Sequence, residues 1–128
     1  MKQILVLGAG FSSSRLVRYL LDHSDQYLWK VTVGDMSQAA AAQKIQGHPN
    51  AQAIYFDASS EEHRKEYISQ SDLVISMLPA AWHDWVALDC VRFGKHMVTA
   101  SYVSDSISAL DAQARKQGVL LLNEMGVD

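Results

Sequence analysis

The stretch that decides the fold reads Ile4-Leu5-Val6-Leu7-Gly8-Ala9-Gly10-Phe11-Ser12-Ser13. Its apolar run breaks into a glycine turn, and an amphipathic segment follows from Arg15 to Asp22. A second apolar run, residues 31–33, then closes on Gly34 and Asp35. A strand, a glycine turn, a helix, a second strand and an acid follow one another in the order that a dinucleotide-binding βαβ unit requires.

Each motif position has a physical role in holding a dinucleotide. Gly8 allows the tight turn, and Gly10 lets backbone amides approach a pyrophosphate without an intervening Cβ. The amides of Phe11 to Ser13 lie at the positive end of the helix dipole and can hold the phosphates. Asp35 comes about 25 residues after Gly10, close to the usual distance for the acid that binds the ribose hydroxyls. A carboxylate there repels a 2′-phosphate, so we predict NAD as the cofactor in preference to NADP.

The third position of the motif departs from the usual pattern. Ser13 stands where Gly or Ala is common, although serine is small enough for close packing of helix on strand. Glycine-rich strand exits also occur in folds that bind no nucleotide. A Rossmann-like protein that binds a partner and no nucleotide therefore stays open as one alternative.

Composition limits the other classes of function. A length of 128 residues fits a single domain over 1–128, and a hydrophobic content of 48% can form its core. A net charge of −3 without a Lys/Arg run argues against nucleic acid or a membrane surface as partner. There is no apolar run long enough to cross a bilayer and no signal peptide, which predicts a soluble, cytoplasmic protein. Cys90 is the only cysteine and the histidines lack metal-ligand spacing, so no metal site is expected.

Helix and strand patterns alternate along the rest of the chain. Ser37 can cap a helix running to about Ile45, and Ser59 or Ser60 can start another. Further strands are expected at 53–56, 73–78, 97–100 and 119–122, with helices at 83–93 and 106–117. This predicts an α/β fold with a doubly wound parallel sheet of strand order 3-2-1-4-5-6 and right-handed crossovers. The ligand crevice should lie at the carboxyl ends of strands one and four.

The segments that follow the strands should meet at that edge. We expect Asp57 and Ala58 beside an adenine, and the turn at 77–79 under the nicotinamide ribose. The predicted cofactor-binding residues from these segments are Gly8, Ala9, Gly10, Phe11, Ser12, Ser13, Asp35, Met36, Asp57, Ala58, Met77, Leu78 and Pro79. His83 follows the same turn and could approach the nicotinamide or the substrate as a catalytic residue, or it could simply lie in the first turn of a helix.

The second half of the chain carries a family resemblance. Its segments Asp72-Leu73-Val74-Ile75-Ser76-Met77-Leu78-Pro79, Lys95-His96-Met97-Val98-Thr99-Ala100-Ser101-Tyr102-Val103-Ser104 and Asn123-Glu124-Met125-Gly126-Val127-Asp128 closely resemble the saccharopine dehydrogenase (saccharopine reductase) family. The glycine turn is similar too, and the resemblance covers essentially all of the chain. The last two segments are far more specific than the glycine motif.

The resemblance implies an NAD(P)-dependent oxidoreductase that oxidises a secondary amine. Saccharopine, or a carboxynorspermidine-like relative, would lose hydride from the carbon next to its nitrogen to the nicotinamide, and the imine would hydrolyse. By position, Ser101, Tyr102 and Asp128 are implied as substrate contacts, with Asp128 also catalytic, and Thr99 and Ala100 as cofactor contacts. Relatives that carry Arg near the end of strand two prefer NADP, so Asp35 again favours NAD.

The resemblance also implies partners. The chain is expected to be the cofactor domain of a longer protein, with a C-terminal substrate domain in the same chain and a small-molecule amino-acid substrate. A homodimer is the candidate oligomeric state. The alternative is a stand-alone NAD(H)-sensing regulatory domain, of the kind that gates potassium transport. Outside the motifs, Cys90 is expected to be buried and inert. Trp82 and Trp85 are expected to pack against the core or a partner domain.

Overall fold

The fold is a parallel sheet with helices on both faces. The computed structural model describes residues 2–10, 13–99, 118 and 121–122. Its strands pair in parallel in the order β3-β2-β1-β4-β5-β6. The strands are β1 (Lys2–Leu7), β2 (Trp29–Asp35), β3 (Ala51–Tyr55), β4 (Leu73–Ser76), β5 (His96–Thr99) and β6 (Leu121–Leu122). The predicted α/β class and strand order are therefore confirmed.

Local sequence signals set several of the helix ends. The described helices are α1 (Ser13–Asp22), α2 (Ser24–Tyr27), α3 (Gln38–Ile45), α4 (Glu61–Ser69) and α5 (Ala80–Phe93). Ser37 caps α3 by accepting from the Ala40 amide at 3.2 Å, and Ser60 caps α4 by accepting from the His63 amide at 3.3 Å. Gly94 ends α5 in the left-handed conformation, with φ of 70°. The two serine caps were both expected.

Some boundaries differ from the sequence prediction. The fourth strand ends at Ser76, earlier than expected, and α5 begins at Ala80 instead of His83. Pro79 explains the early start, because its φ of −56° already suits a helix entry. The short helix α2 was not predicted, since a segment of four residues is too short to show a hydrophobic period. The expected helix at 106–117 lies outside the described residues.

Two apolar clusters hold the sheet between its helix layers. Alternate residues of β1 point to opposite faces, so Leu5 and Leu7 join one cluster while Ile4 and Val6 join the other. The Leu5 cluster packs under α4 and α5 and contains Cys90, which is fully buried as predicted. The Ile4 cluster packs under α1 and α3. Burial on both faces leaves the strand ends as the place for polar chemistry.

The described part of the chain has neither a membrane-spanning helix nor a cluster of metal ligands. None of its helices is long and apolar enough to cross a membrane. Within the same residues, no group of three histidine, cysteine or carboxylate side chains is placed to hold a metal ion. The cytoplasmic location and the homodimer stay predictions.

Candidate functional site

The turn after β1 requires glycine at position 8. Gly8 has φ of +100°, and its amide donates to the Gly34 carbonyl oxygen at 2.8 Å. A Cβ on Gly8 would lie 2.9 Å from both the carbonyl carbon and the carbonyl oxygen of Met77. The Met77 amide in turn donates to the Leu7 carbonyl oxygen at 2.7 Å. The ends of β1 and β4 are thus locked side by side, where the winding of the sheet reverses.

Gly10 has a different environment. A Cβ added to Gly10 would meet no atom within 4 Å, so this side of the turn faces open space. Ser13 closes the turn behind it, because both its amide and its hydroxyl donate to the Gly10 carbonyl oxygen, at 3.1 and 2.8 Å. Ser13 is fully buried, which suits the small third position of the motif. A bare backbone facing open space at a helix start is the arrangement that a pyrophosphate needs, so the residues present fit a dinucleotide.

Asp35 joins the glycine turn to the end of β2. Its Oδ1 accepts from the Ala9 amide at 2.9 Å, and its Oδ2 accepts from the Ser37 amide at 2.7 Å. The Asp35 backbone oxygen also accepts from the Phe56 amide at 2.9 Å, which ties in the end of β3. Each carboxylate oxygen can accept a second hydrogen bond, so Asp35 keeps acceptor sites for ribose hydroxyls. Asp35 therefore braces the site as well as offering a contact to it.

Asp57 forms a second acidic position, on the turn after β3. Its Oδ1 accepts from both the hydroxyl and the amide of Ser59, at 2.6 and 3.0 Å. These two hydrogen bonds, the hydroxyl first, lower the pKa of the Asp57 carboxyl below its ordinary value. The Asp57 amide donates to Nδ1 of His63 at 3.1 Å. The turn is therefore held in one shape, with its carboxylate ionised at neutral pH.

Arg64 of α4 holds the turn after β3 in place, and the sequence analysis did not identify this residue. Its Nη1 donates to the Ala58 carbonyl oxygen at 2.7 Å, and its Nε pairs with Oδ2 of Asp89 at 2.6 Å. The guanidinium also lies 5.1 Å from the ring centre of Trp85. An aspartate on the core-facing side of the largely apolar α5 was the available signal, because a buried carboxylate needs a cation.

The strand ends bring most of the predicted cofactor residues to one edge. The parallel register aligns Leu7 with Gly34 and Ser76, and Ser76 with Thr99. The described predicted residues at this edge are Gly8, Ala9, Gly10, Ser13, Asp35, Met36, Asp57, Ala58, Met77, Leu78, Pro79 and Thr99. Met36 is exposed, whereas Ala58 is buried. Their roles in binding stay predictions.

The other predicted site residues are not described. Phe11, Ser12, Ala100, Ser101, Tyr102 and Asp128 lie outside the described residues, and the side chain of His83 does too. The tryptophans of the same region are described. Trp82 is half-buried and packs against the Leu5 cluster. The more exposed Trp85 stacks edge to face on Trp82 and makes the cation–π contact with Arg64.

Comparison with known proteins identifies the family of this chain. A family model described as the saccharopine dehydrogenase NADP binding domain matches residues 4–122. The chain belongs to this family. The resemblance found in the sequence is thereby confirmed, and the match favours the oxidoreductase domain over the potassium-transport regulatory domain. It also favours a nucleotide-binding domain over one that binds no nucleotide.

Named relatives agree with the family assignment. The saccharopine dehydrogenase (NADP(+), L-glutamate-forming) of Schizosaccharomyces pombe is 34% identical over 128 residues, all of this chain and 28% of that protein. The alpha-aminoadipic semialdehyde synthase of Arabidopsis thaliana is 40% identical over 98 residues, which are 77% of this chain and 9% of that protein. The domain thus spans only a small part of the length of these relatives.

Solved structures show the same fold. The apo saccharopine dehydrogenase (L-Glu forming) of Saccharomyces cerevisiae superposes with a TM-score of 0.89 at 29% identity, covering 100% of this chain and 28% of that one. A Synechocystis biliverdin reductase superposes with a TM-score of 0.71 at 19% identity, covering 94% of this chain and 37% of that one. The second likeness concerns the fold alone.

The prediction of NAD as the preferred cofactor is wrong. The matching family is an NADP-binding domain, and the Schizosaccharomyces pombe relative is named for NADP(+). The structure supplies a physical reason. Both oxygens of the Asp35 carboxylate accept backbone amide hydrogen bonds, from Ala9 and Ser37, so part of its negative charge is compensated within the turn. An acid at the end of β2 therefore does not by itself repel a 2′-phosphate strongly enough to decide the cofactor.

Proposed function

We propose that this chain is the NADP-binding domain of an oxidoreductase that oxidises a secondary amine, saccharopine or a close relative, to an imine that water then hydrolyses. The observation that carries the proposal is the site at the carboxyl edge, where Asp35 is bonded to the Ala9 amide beside the open face of Gly10. The family match supports the choice of NADP. The names of the relatives support the choice of a secondary amine as substrate.

The residues of this chain bind and orient the cofactor. The open turn at Gly10 and the first turn of α1 would hold the pyrophosphate, and Asp35 would accept from the adenosine ribose. Asp57 and the backbone of Ala58 would border the adenine, while Met77 and Pro79 would pass under the nicotinamide ribose. Bound NADP supplies a hydride acceptor at C4 of its nicotinamide. The protein's own side chains then need only to bind, to orient and to exchange protons.

The substrate side is proposed from the family's motifs. Ser101, Tyr102 and Asp128 would contact the amino-acid substrate, and Asp128 or His83 would take the proton that the amine nitrogen loses as the imine forms. A C–H bond and an N–H bond of the substrate break, one hydride and one proton leave, and water then adds to the imine carbon to release an amine and a carbonyl product. A further substrate domain in the same protein would complete this half of the site.

Cofactor titration tests the proposal first. The protein, in the full length that its gene encodes, is titrated with NADP and NAD by calorimetry, and reduction of NADP is then followed with saccharopine. We expect saturable binding of NADP and reduction that depends on saccharopine. Asp35→Ala should weaken the binding of both dinucleotides, because both carry the adenosine ribose. Failure of NADP to bind would contradict the proposal, and binding without turnover would contradict its choice of substrate.

A further inference from the structure

An NADP-binding domain needs a cation for the 2′-phosphate, and the usual position does not supply one here. β2 ends at Asp35 and is followed by Met36, Ser37 and Gln38, and none of these four residues is basic. In other dinucleotide folds an arginine near this point accommodates the extra phosphate. Since the matching family model describes an NADP binding domain, we expect a cation on another element near the glycine turn to meet this phosphate.

The groove between α1 and α3 contains candidate cations. It has a volume of about 470 Å³, and its charged or polar lining includes Ser14, Arg15, Arg18, Asp22 and Lys44. It begins at the first turn of α1, directly after the glycine turn that Asp35 binds through the Ala9 amide. Asp22 lies two helical turns further along α1, about 12 Å from Ser14 at 1.5 Å per residue. The end of the groove next to the first turn of α1, which we call its upper end, is therefore basic.

Lys44 is held at this upper end. Its Nζ donates to the Ser14 hydroxyl at 2.6 Å, although Lys44 belongs to the last turn of α3 and Ser14 to the first turn of α1. The lysine is only half-buried, so its other donors can reach solvent. Among the described residues, no carboxylate forms an ion pair with Lys44 or Arg15. A fixed ammonium beside a helix N-terminus favours a phosphate.

We propose that Lys44, with Arg15 beside it, receives the 2′-phosphate of NADP, so that the groove between α1 and α3 provides the selectivity that the end of β2 lacks. This inference rests on the proposed function, because it concerns the same cofactor site. It assigns a specificity role to a residue of α3 that no motif marks. The ammonium that Ser14 positions would donate to the phosphate oxygens, whereas NAD would offer it only a hydroxyl.

The test compares two ligands that differ only in this phosphate. Lys44→Gln is titrated with NADP and with NAD, using the protein in its full encoded length. We expect its dissociation constant for NADP to rise roughly tenfold, as for loss of a charge-assisted hydrogen bond, while that for NAD stays unchanged. Lys44→Arg should restore part of the NADP affinity because it keeps the charge. Lys65→Gln, an exposed lysine of α4 on the opposite face, is the matched control and should change neither constant.

Two further measurements make the test decisive. Competition by 2′,5′-ADP against 5′-AMP should show the same selective loss in Lys44→Gln, and Ser14→Ala should show a smaller one. An unchanged ratio of the two dissociation constants in Lys44→Gln would overturn the inference while leaving the proposed function intact. Equal weakening of NADP and NAD would overturn it as well, since that would indicate a general effect on the site. A wild-type protein that binds neither dinucleotide would overturn both.

Discussion

Gly8 and Gly10 belong to one motif but contribute to different properties of the protein. Gly8 has a positive φ and no room for a Cβ, because the Met77 carbonyl group lies 2.9 Å from the position that the Cβ would take. Gly10 has open space at the same position. The first glycine therefore contributes to stability, and the second leaves room for a ligand.

We expect alanine substitutions to separate these two roles. Gly8→Ala should lower the free energy of unfolding by about 2 kcal/mol or more, because the strained φ and the clash with Met77 add together. Gly10→Ala should change it by less than about 0.5 kcal/mol but should weaken NADP binding, since its methyl group would project into the pyrophosphate site. Urea denaturation and NADP titration of both variants measure the two effects. Equal stability losses in the two variants would contradict the assignment.

Asp57 gives a prediction about pH. Because Ser59 lowers the folded-state pKa of Asp57, the stability that its ionised form contributes is present above its ordinary value of 3.8 and is lost as the pH falls through the lowered pKa. A carboxyl NMR titration should therefore place the pKa of Asp57 below 3.8. Ser59→Ala should raise the pKa towards the ordinary value, and Ser60→Ala, which removes the neighbouring hydroxyl that caps α4, should not. An unshifted pKa in the wild type would rule out this role of Ser59.

Helices α4 and α5 are joined by an ion pair in addition to their apolar contacts. The side chains of Arg64 and Asp89 are 13% and 5% exposed, so loss of either partner leaves a charge largely out of water. Arg92 also approaches Asp89, at 3.9 Å, but its side chain is 54% exposed. The two arginines thus provide a buried and an exposed contact to one carboxylate.

A double-mutant cycle tests the buried pair. We expect Asp89→Leu and Arg64→Met each to lower the free energy of unfolding by about 3 kcal/mol, and the double variant to lose clearly less than the sum. Arg92→Ala should cost less than about 0.5 kcal/mol, because an exposed pair at this distance is weak. Urea denaturation of the four proteins provides the measurement. Additive losses would show that the pair has no coupling energy.

The sequence predicted elements well where a local physical signal existed. The sequence predicted the serine caps of α3 and α4 and the apolar run of β4. The rule that crossovers are right-handed then predicted the strand order. The start of α5 was misplaced although Pro79 marks it, because Pro79 was taken only as the end of the preceding strand. α2 was missed because a helix of four residues is too short to show a hydrophobic period. Element boundaries depend on contacts between distant residues, which a local pattern does not contain.

The site was only partly predictable for the same reason. Motif spacing correctly predicted that Asp35 lies at the carboxyl edge of the sheet. Spacing cannot show that both of its carboxylate oxygens accept hydrogen bonds from backbone amides. The choice of cofactor was wrong because it depended on that one charge. Contacts across the fold, such as Lys44 with Ser14 or Arg64 with Asp89, join residues 25 or more positions apart and become visible only in three dimensions.

The reactivity of Cys90 provides a measure of the global stability of the protein. Cys90 is the only cysteine of the chain and lies fully buried on the side of α5 that packs against the sheet. Its pKa is raised chiefly by burial and further by the neighbouring Asp89. A thiol reagent needs an accessible thiolate, so the native protein should react only during unfolding. Labelling at neutral pH should therefore speed up with urea in step with the loss of global stability.

Cofactor binding should slow this labelling in a quantitative way. A ligand that binds only the folded state stabilises it by RT ln(1 + [L]/Kd), so NADP at about 100 times its dissociation constant should slow the reaction about a hundredfold when refolding outpaces labelling. The protein unfolded in urea is the control and should react at one rate with or without NADP. A thiol that reacts rapidly in the folded protein would contradict its burial. Slow labelling that NADP leaves unchanged would instead show that the cofactor does not bind the state that protects Cys90.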